Sequence, residues 1–199
     1  MWMLIIFLNF NKHISSLSSK ISLRILALRR IKHCLPLFAR KLFYNALILP
    51  YFNYCISIWS MCNSTALERV FKLQKLAART FLDVRNPSSI RSCELFKTLN
   101  WLPLPMLANY NKCVMVFKAF NNLSPPYITD MFSTTTVCRT RGQSSNLLRL
   151  PRAKTEQYKR SFRFSASVTW NNLPPHLRTI TSLYSFKSEL SKYFMSEKL

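Results

Sequence analysis

The residues that could do chemistry are few on the acidic side and many on the basic side. Asp and Glu total 7 against 29 Lys plus Arg, a net charge of +22. The carboxylates, Glu68, Asp83, Glu94, Asp130, Glu156, Glu189 and Glu197, are scattered, and no two fall close together in sequence. Two-metal phosphoryl transfer needs clustered carboxylates to neutralise paired cations, and no motif here supplies them. His13, His33 and His176 are equally isolated, and no GxSxG setting offers a nucleophile. The one glycine, Gly142, excludes every GxGxxG or GxxxxGK phosphate cradle. The six cysteines (34, 55, 62, 93, 113 and 138) include no CxxC pair. Zinc sites usually draw two ligands from one tight turn, so the thiols read as small buried apolar groups. Neither a cofactor nor a metal is expected.

The cations are better placed. Arg69, Lys72, Lys75 and Arg79 recur at helical spacing and occupy about a third of a helix circumference. Glu68 lies within that stripe and can pair with Lys72 at i,i+4. Such a face can track a phosphate backbone, and it can equally be a solvated helix surface. A second cluster, Arg29, Arg30 and Lys32, ends an earlier helix. There the cations also complement the helix dipole without any ligand. A basic excess of this size favours an anionic partner: nucleic acid, an anionic membrane surface or an acidic protein.

The elements that must hold these residues read as mostly α. Ile14, Leu17, Ile21, Ile25 and Leu28 mark a helix over 13–34; Leu23, Leu26 and Ile31 fall on other sides and predict packing on more than one face. Pro36 fits the first turn of a second helix to about Leu49. Pro50 should kink or break it, and Tyr51 to Ser60 should resume as helix. The cleanest amphipathic helix runs from Thr65 to Leu82, with Leu67, Val70, Phe71, Ala77, Ala78 and Phe81 inward. Ser88 is a candidate N-cap for a short helix to Leu99. Another starts at Pro105 and turns Met106, Leu107, Tyr110, Cys113, Val114 and Phe117 inward. Ser182 caps a last helix with Leu183, Phe186, Leu190 and Phe194 on its inner face. The Asn-Asn-Leu strings at 121–123 and 171–173 read as shared helix-stop chemistry. Leu147–Leu150 and Tyr158–Phe164 could pair as a short β-hairpin, while Ser161–Trp170 equally fits a helix. A linker is expected at about 133–145. MWMLIIFL, at 1–8, is too short to span a bilayer and suggests a buried strand remnant.

No Asp, Glu, Lys or Arg occurs from Leu42 through Leu67, and Tyr44, Tyr51, Phe52, Tyr54 and Trp59 crowd into that gap. This block is a buried hub or a membrane segment. Asn45, Asn53 and Pro50 inside it favour the hub.

Several segments follow one another in an order that resembles a known family: LNFNKHI (8–14), ALRRI (27–31), LFYNALILPYFNYCISIW (42–59), LQKLAART (73–80), LNWLPL (99–104), FKAFNNLSPPYI (117–128), LLRLPRAKT (147–155), then WNNLP and SLYSFKSEL. Together they look like the C-terminal part of the reverse transcriptase of a LINE-type (non-LTR) retrotransposon. The likeness covers about Leu8 to Leu190. It implies a thumb-like helical region at 1–86, of the kind that grips a primer–template duplex, and the family's C-terminal helical region at 87–199. The family's catalytic palm, with its YADD-like hairpin, has no counterpart here, nor has its endonuclease. The resemblance thus implies a truncated copy without polymerase activity, retaining at most nonspecific nucleic-acid affinity through Arg29, Arg30, Lys32, Arg69, Lys72, Lys75 and Arg79. It implies an intracellular protein and is compatible with a nuclear location. The other readings are a basic helical interaction or membrane-surface protein anchored by the aromatic block 44–59, and a chain with no selected function.

Overall fold

The computed structural model describes residues 10–84, 90–133 and 146–197. Their extended regular elements are all helices. The chain divides into two compact units, one ending at Leu107 and the other running from Ala108 to Glu197.

In the first unit α1 spans Asn11–Ile31 and tightens into a 3-10 turn, Lys32–Cys34. All five residues of its predicted apolar stripe are buried. Leu23, Leu26 and Ile31 are not: each lies at the surface, so α1 packs on one face and not on several. Helix α2 (Leu37–Leu47) follows Pro36, which precedes the first turn instead of sitting in it. The run breaks at Ile48, just before Pro50, and α3 (Leu49–Asn53) seats Pro50 in its first turn, where a missing N–H costs nothing.

The expected continuous helix from Tyr51 to Ser60 breaks elsewhere. Tyr54 is extended, Cys55 is left-handed at φ 51°, and α4 (Ile56–Trp59) restarts behind them. Trp59 explains the break. Its indole is buried and needs an acceptor, and the Tyr54 carbonyl, released from the helix, takes its N–H at 2.7 Å. Tyr44, Ile48, Phe52, Ile56 and Trp59 are all buried, so one face of the uncharged block is core, while Leu42, Leu47, Tyr54 and Ile58 are exposed. No described helix is long and apolar enough to cross a membrane.

Helix α5 (Ser64–Phe81) is capped by Asn63, whose side chain accepts from the Ala66 N–H at 2.8 Å. It packs along α1. Val70, Phe71, Ala77, Ala78 and Phe81 are buried as its periodicity requires, while Leu67 is half-buried. Gln74 is buried among them and clamps the chain after α6 (Ser92–Leu99). Its amide donates to the Leu102 carbonyl at 2.9 Å and its oxygen accepts from the Leu104 N–H at 2.8 Å. The clamp seats Trp101 flat on Tyr44, with centroids 3.7 Å apart. The candidate cap Ser88 lies outside the described residues, and α6 starts after Arg91.

Helix α7 (Leu104–Phe120) crosses the division. In the second unit its Phe117 stacks on Phe186 of α12 (Leu183–Ser196) at 4.4 Å. Ser182 caps α12, and Phe186, Leu190 and Phe194 are buried as expected. Short helices, α8 (Pro126–Thr129), α9 (Glu156–Arg160), α10 (Phe162–Asn171) and α11 (Pro175–Arg178), complete the unit.

The β-hairpin expected near 147–164 does not form. Thr155 and Ser161 cap α9 and α10 instead, so Tyr158–Phe164 belongs to two helices parted at Ser161. The extended Leu148 finds its backbone partners in a side chain. Asn171 donates to its carbonyl and accepts from its N–H, both at 2.9 Å. The Trp170 indole donates to the Asn146 carbonyl at 2.8 Å. The Trp-Asn pair is therefore a clamp as well as a helix end. The linker expected at 133–145 lies, but for Ser133, outside the described residues, as does the N-terminal apolar run.

Candidate nucleic-acid interface

Two of the sequence-selected clusters meet. The C-terminal halves of α1 and α5 line a cleft of about 540 Å³ that includes Arg29, Lys32, Arg79 and Asp83, with Leu26 and Leu76 at its apolar margin. The meeting follows from sequence. The buried stripe of α1 packs on α5, leaving the next positions round each helix at the rim of the contact. Lys32 is ion-paired with Asp83 across this cleft. Arg79 is half-buried, and its Nε has no hydrogen-bond partner among the described residues. Burying an unmatched guanidinium nitrogen is unfavourable. Part of the positive charge offsets the negative ends of two helix dipoles.

The other stripe residues lie apart from this cleft. Arg69 and Lys72 are exposed and, with Ser64, Thr65 and Glu68, line an open hollow at the start of α5. Lys75 is more committed. Its ammonium lies 3.9 Å from the centre of the Phe71 ring and 3.4 Å from Glu68 Oε1. The expected Glu68–Lys72 pair is therefore replaced by Glu68–Lys75, two helical turns along, which leaves Lys72 free of that acid. Arg30 is exposed and does not line the cleft. The seven cations thus form a cleft group (Arg29, Lys32, Arg79), an open pair (Arg69, Lys72), one packed lysine (Lys75) and one outlying arginine (Arg30).

Sequence reasoning missed two features of this unit. Arg40 donates from Nε to the Leu35 carbonyl at 3.0 Å and from Nη1 to the Phe81 carbonyl at 3.1 Å. It therefore caps the end of α5 that carries Arg79. No periodicity flags such a contact, because it spans 41 residues. The second is the aromatic pair Tyr51 and Tyr54. Arg24 lies over the Tyr51 ring at 4.3 Å, and Tyr54 projects into solvent. The Tyr-x-x-Tyr spacing was visible, but the uncharged block reads as core throughout.

Among the described residues no group of three or more His, Cys, Asp and Glu is placed to hold a metal ion. No protein-family model, curated protein or solved structure matches the chain. The resemblance to LINE-type reverse transcriptases therefore stands on the ordered segments themselves.

Proposed function

We propose that this chain is a noncatalytic, basic α-helical nucleic-acid-binding unit, of the kind found C-terminal to the palm in LINE-type retrotransposon reverse transcriptases. It would hold the backbone without reading sequence. The observation that carries this reading is the arrangement on α1 and α5. Arg29 and Arg79 share a cleft, and Arg69 and Lys72 stand exposed farther along the same helix. Phosphate contacts need no more than cations at suitable spacing on a rigid support. The α1–α5 pair, packed through buried Ile21, Ile25, Val70 and Ala77, gives that support.

The test is fluorescence anisotropy with a labelled 20-base-pair duplex of random sequence across a salt series. Binding by four to five phosphate contacts predicts a log–log slope of roughly −4, at about −0.9 per contact. Affinity unchanged between low and high salt overturns the reading.

One observation favours the alternative of a membrane-surface protein, and it adds to the exposed aromatic of the block 44–59, Tyr54. Tyr44, Phe52 and Trp59 are buried and unavailable as anchors. Helix α2 instead exposes Leu37, Phe38 and Leu42 beside Lys41. An apolar face with adjacent cations suits an anionic lipid interface. Co-sedimentation with phosphatidylserine vesicles, lost in Phe38→Glu, would support it; no sedimentation in wild type would dismiss it.

A further inference from the structure

A pocket of about 320 Å³ lies between α1 and the α3–α4 break, away from the cations selected above. One wall is a stripe of α1 at helical spacing, His13, Ser16, Leu17 and Lys20. The other is Tyr51 and Tyr54, with Pro50 beside them. Leu17 is buried, while His13, Ser16, Lys20 and Tyr54 are exposed.

The position of Tyr54 is built, not incidental. Helical continuation would have been the cheaper course for residues 54 and 55. Cys55 instead takes a left-handed conformation at φ 51°, which costs a non-glycine residue about 1–2 kcal/mol. The Tyr54 carbonyl is held by the buried Trp59 indole at 2.7 Å. This arrangement fixes the backbone from which the Tyr54 ring stands out, 71% exposed. Tyr51 differs, because Arg24 covers one face of its ring at 4.3 Å. Arg24 is itself anchored, donating from Nη1 to the Lys20 carbonyl at 2.9 Å. The pocket thus presents a free aromatic ring, a second ring backed by a guanidinium, an apolar floor, and an imidazole and an ammonium at its edge.

Aromatic rings interleaved with cations are what an unpaired base of a polyanionic strand requires: a π-face to stack on and a positive group for the adjoining phosphate. We propose that this pocket is a stacking slot for one unpaired nucleobase, with Tyr54 as the platform and Lys20 on the neighbouring phosphate. The inference rests on the nucleic-acid reading of the basic α1–α5 surface and extends it from duplex backbone to a single-stranded base. RNA and DNA share the chemistry, since every base offers a π-face.

The test compares labelled 12-mer strands of identical phosphate count: oligo-uridine, oligo-thymidine and an abasic strand. The full chain should bind both base-bearing strands about tenfold more tightly than the abasic one, the order that stacking one base supplies. Tyr54→Ala should remove that preference and leave abasic-strand affinity unchanged, and Tyr54→Phe should restore it. The exposed ring makes the alanine variant safe for folding, which an unchanged circular dichroism spectrum checks. If Tyr54→Ala keeps the full preference, or wild type shows none, the slot is overturned while salt-dependent duplex binding can stand. If neither strand nor duplex binds, the slot and the reading beneath it fall together.

Discussion

The carboxamide of Asn171 serves the backbone of Leu148 as a β-strand would, donating to its carbonyl and accepting from its N–H, each at 2.9 Å. Gln74 does the same for a second extended segment, bonding the Leu102 carbonyl and the Leu104 N–H. Each unit thus solves one problem in one way. Backbone polar groups outside a helical ladder must still be satisfied when buried, and a single amide side chain satisfies two of them.

Replacing Asn171 tests this role. Asn171→Ala leaves the Leu148 N–H and carbonyl unpaired, which should destabilise the second unit by about 2–3 kcal/mol. Urea unfolding followed by far-ultraviolet circular dichroism should show a lower midpoint. Asn171→Asp keeps the acceptor but not the donor and should fall between the two.

Gln74→Leu should cost at least as much in the first unit, since the side chain is buried and the Leu104 N–H it satisfies is buried too. We expect about 2–4 kcal/mol from two lost bonds and two stranded backbone groups. The same change should also weaken the Tyr44–Trp101 stack, read as altered near-ultraviolet dichroism.

Alkaline pH gives a third expectation. Burial pushes the Tyr44 hydroxyl well above its ordinary value of 10.0, against a smaller opposing effect of its Gln74 hydrogen bond. In the unfolded chain this phenol ionises first, so the folded state binds more protons above that pH. Its contribution to stability is fully present below pH 10 and is lost as pH rises toward the folded value. The added slope is about 1.4 kcal/mol per pH unit. Buried Cys113, also raised by burial, adds a loss of the same sign from about its ordinary value of 9.0. Denaturant unfolding at pH 8 and pH 11 should show the decline, and Tyr44→Phe should make it shallower.

Much of the fold was legible because the helices carry clean periodicity. The stripes of α1, α5 and α12 were readable from spacing alone; that of α1 is buried throughout, while Leu67 of α5 and Leu183 of α12 are only half-buried. What was not legible depends on partners distant in sequence. The hairpin expectation failed because Thr155 and Ser161 cap helices where the second strand was expected, while Leu148 takes its own backbone bonds from a side chain 23 residues away. The break at Tyr54–Cys55 escaped because a buried indole needed an acceptor, a tertiary demand that no local propensity encodes. The site was half legible. Spacing selected Arg69, Lys72 and Arg79, but not the meeting of Arg79 with Arg29 or the diversion of Lys75 onto Phe71 and Glu68.

The central claim is that the α1–α5 surface neutralises phosphates. The most direct measurement compares the salt dependence of duplex affinity in wild type, in Arg69→Ala/Lys72→Ala/Arg79→Ala, and in a control that removes the exposed Arg152, Lys154 and Lys187. The α5 variant should bind more weakly at low salt, with a log–log slope shallower by about 2.7. The control should keep the wild-type slope. Equal slopes in wild type and the α5 variant, or a greater loss in the control, would contradict the account.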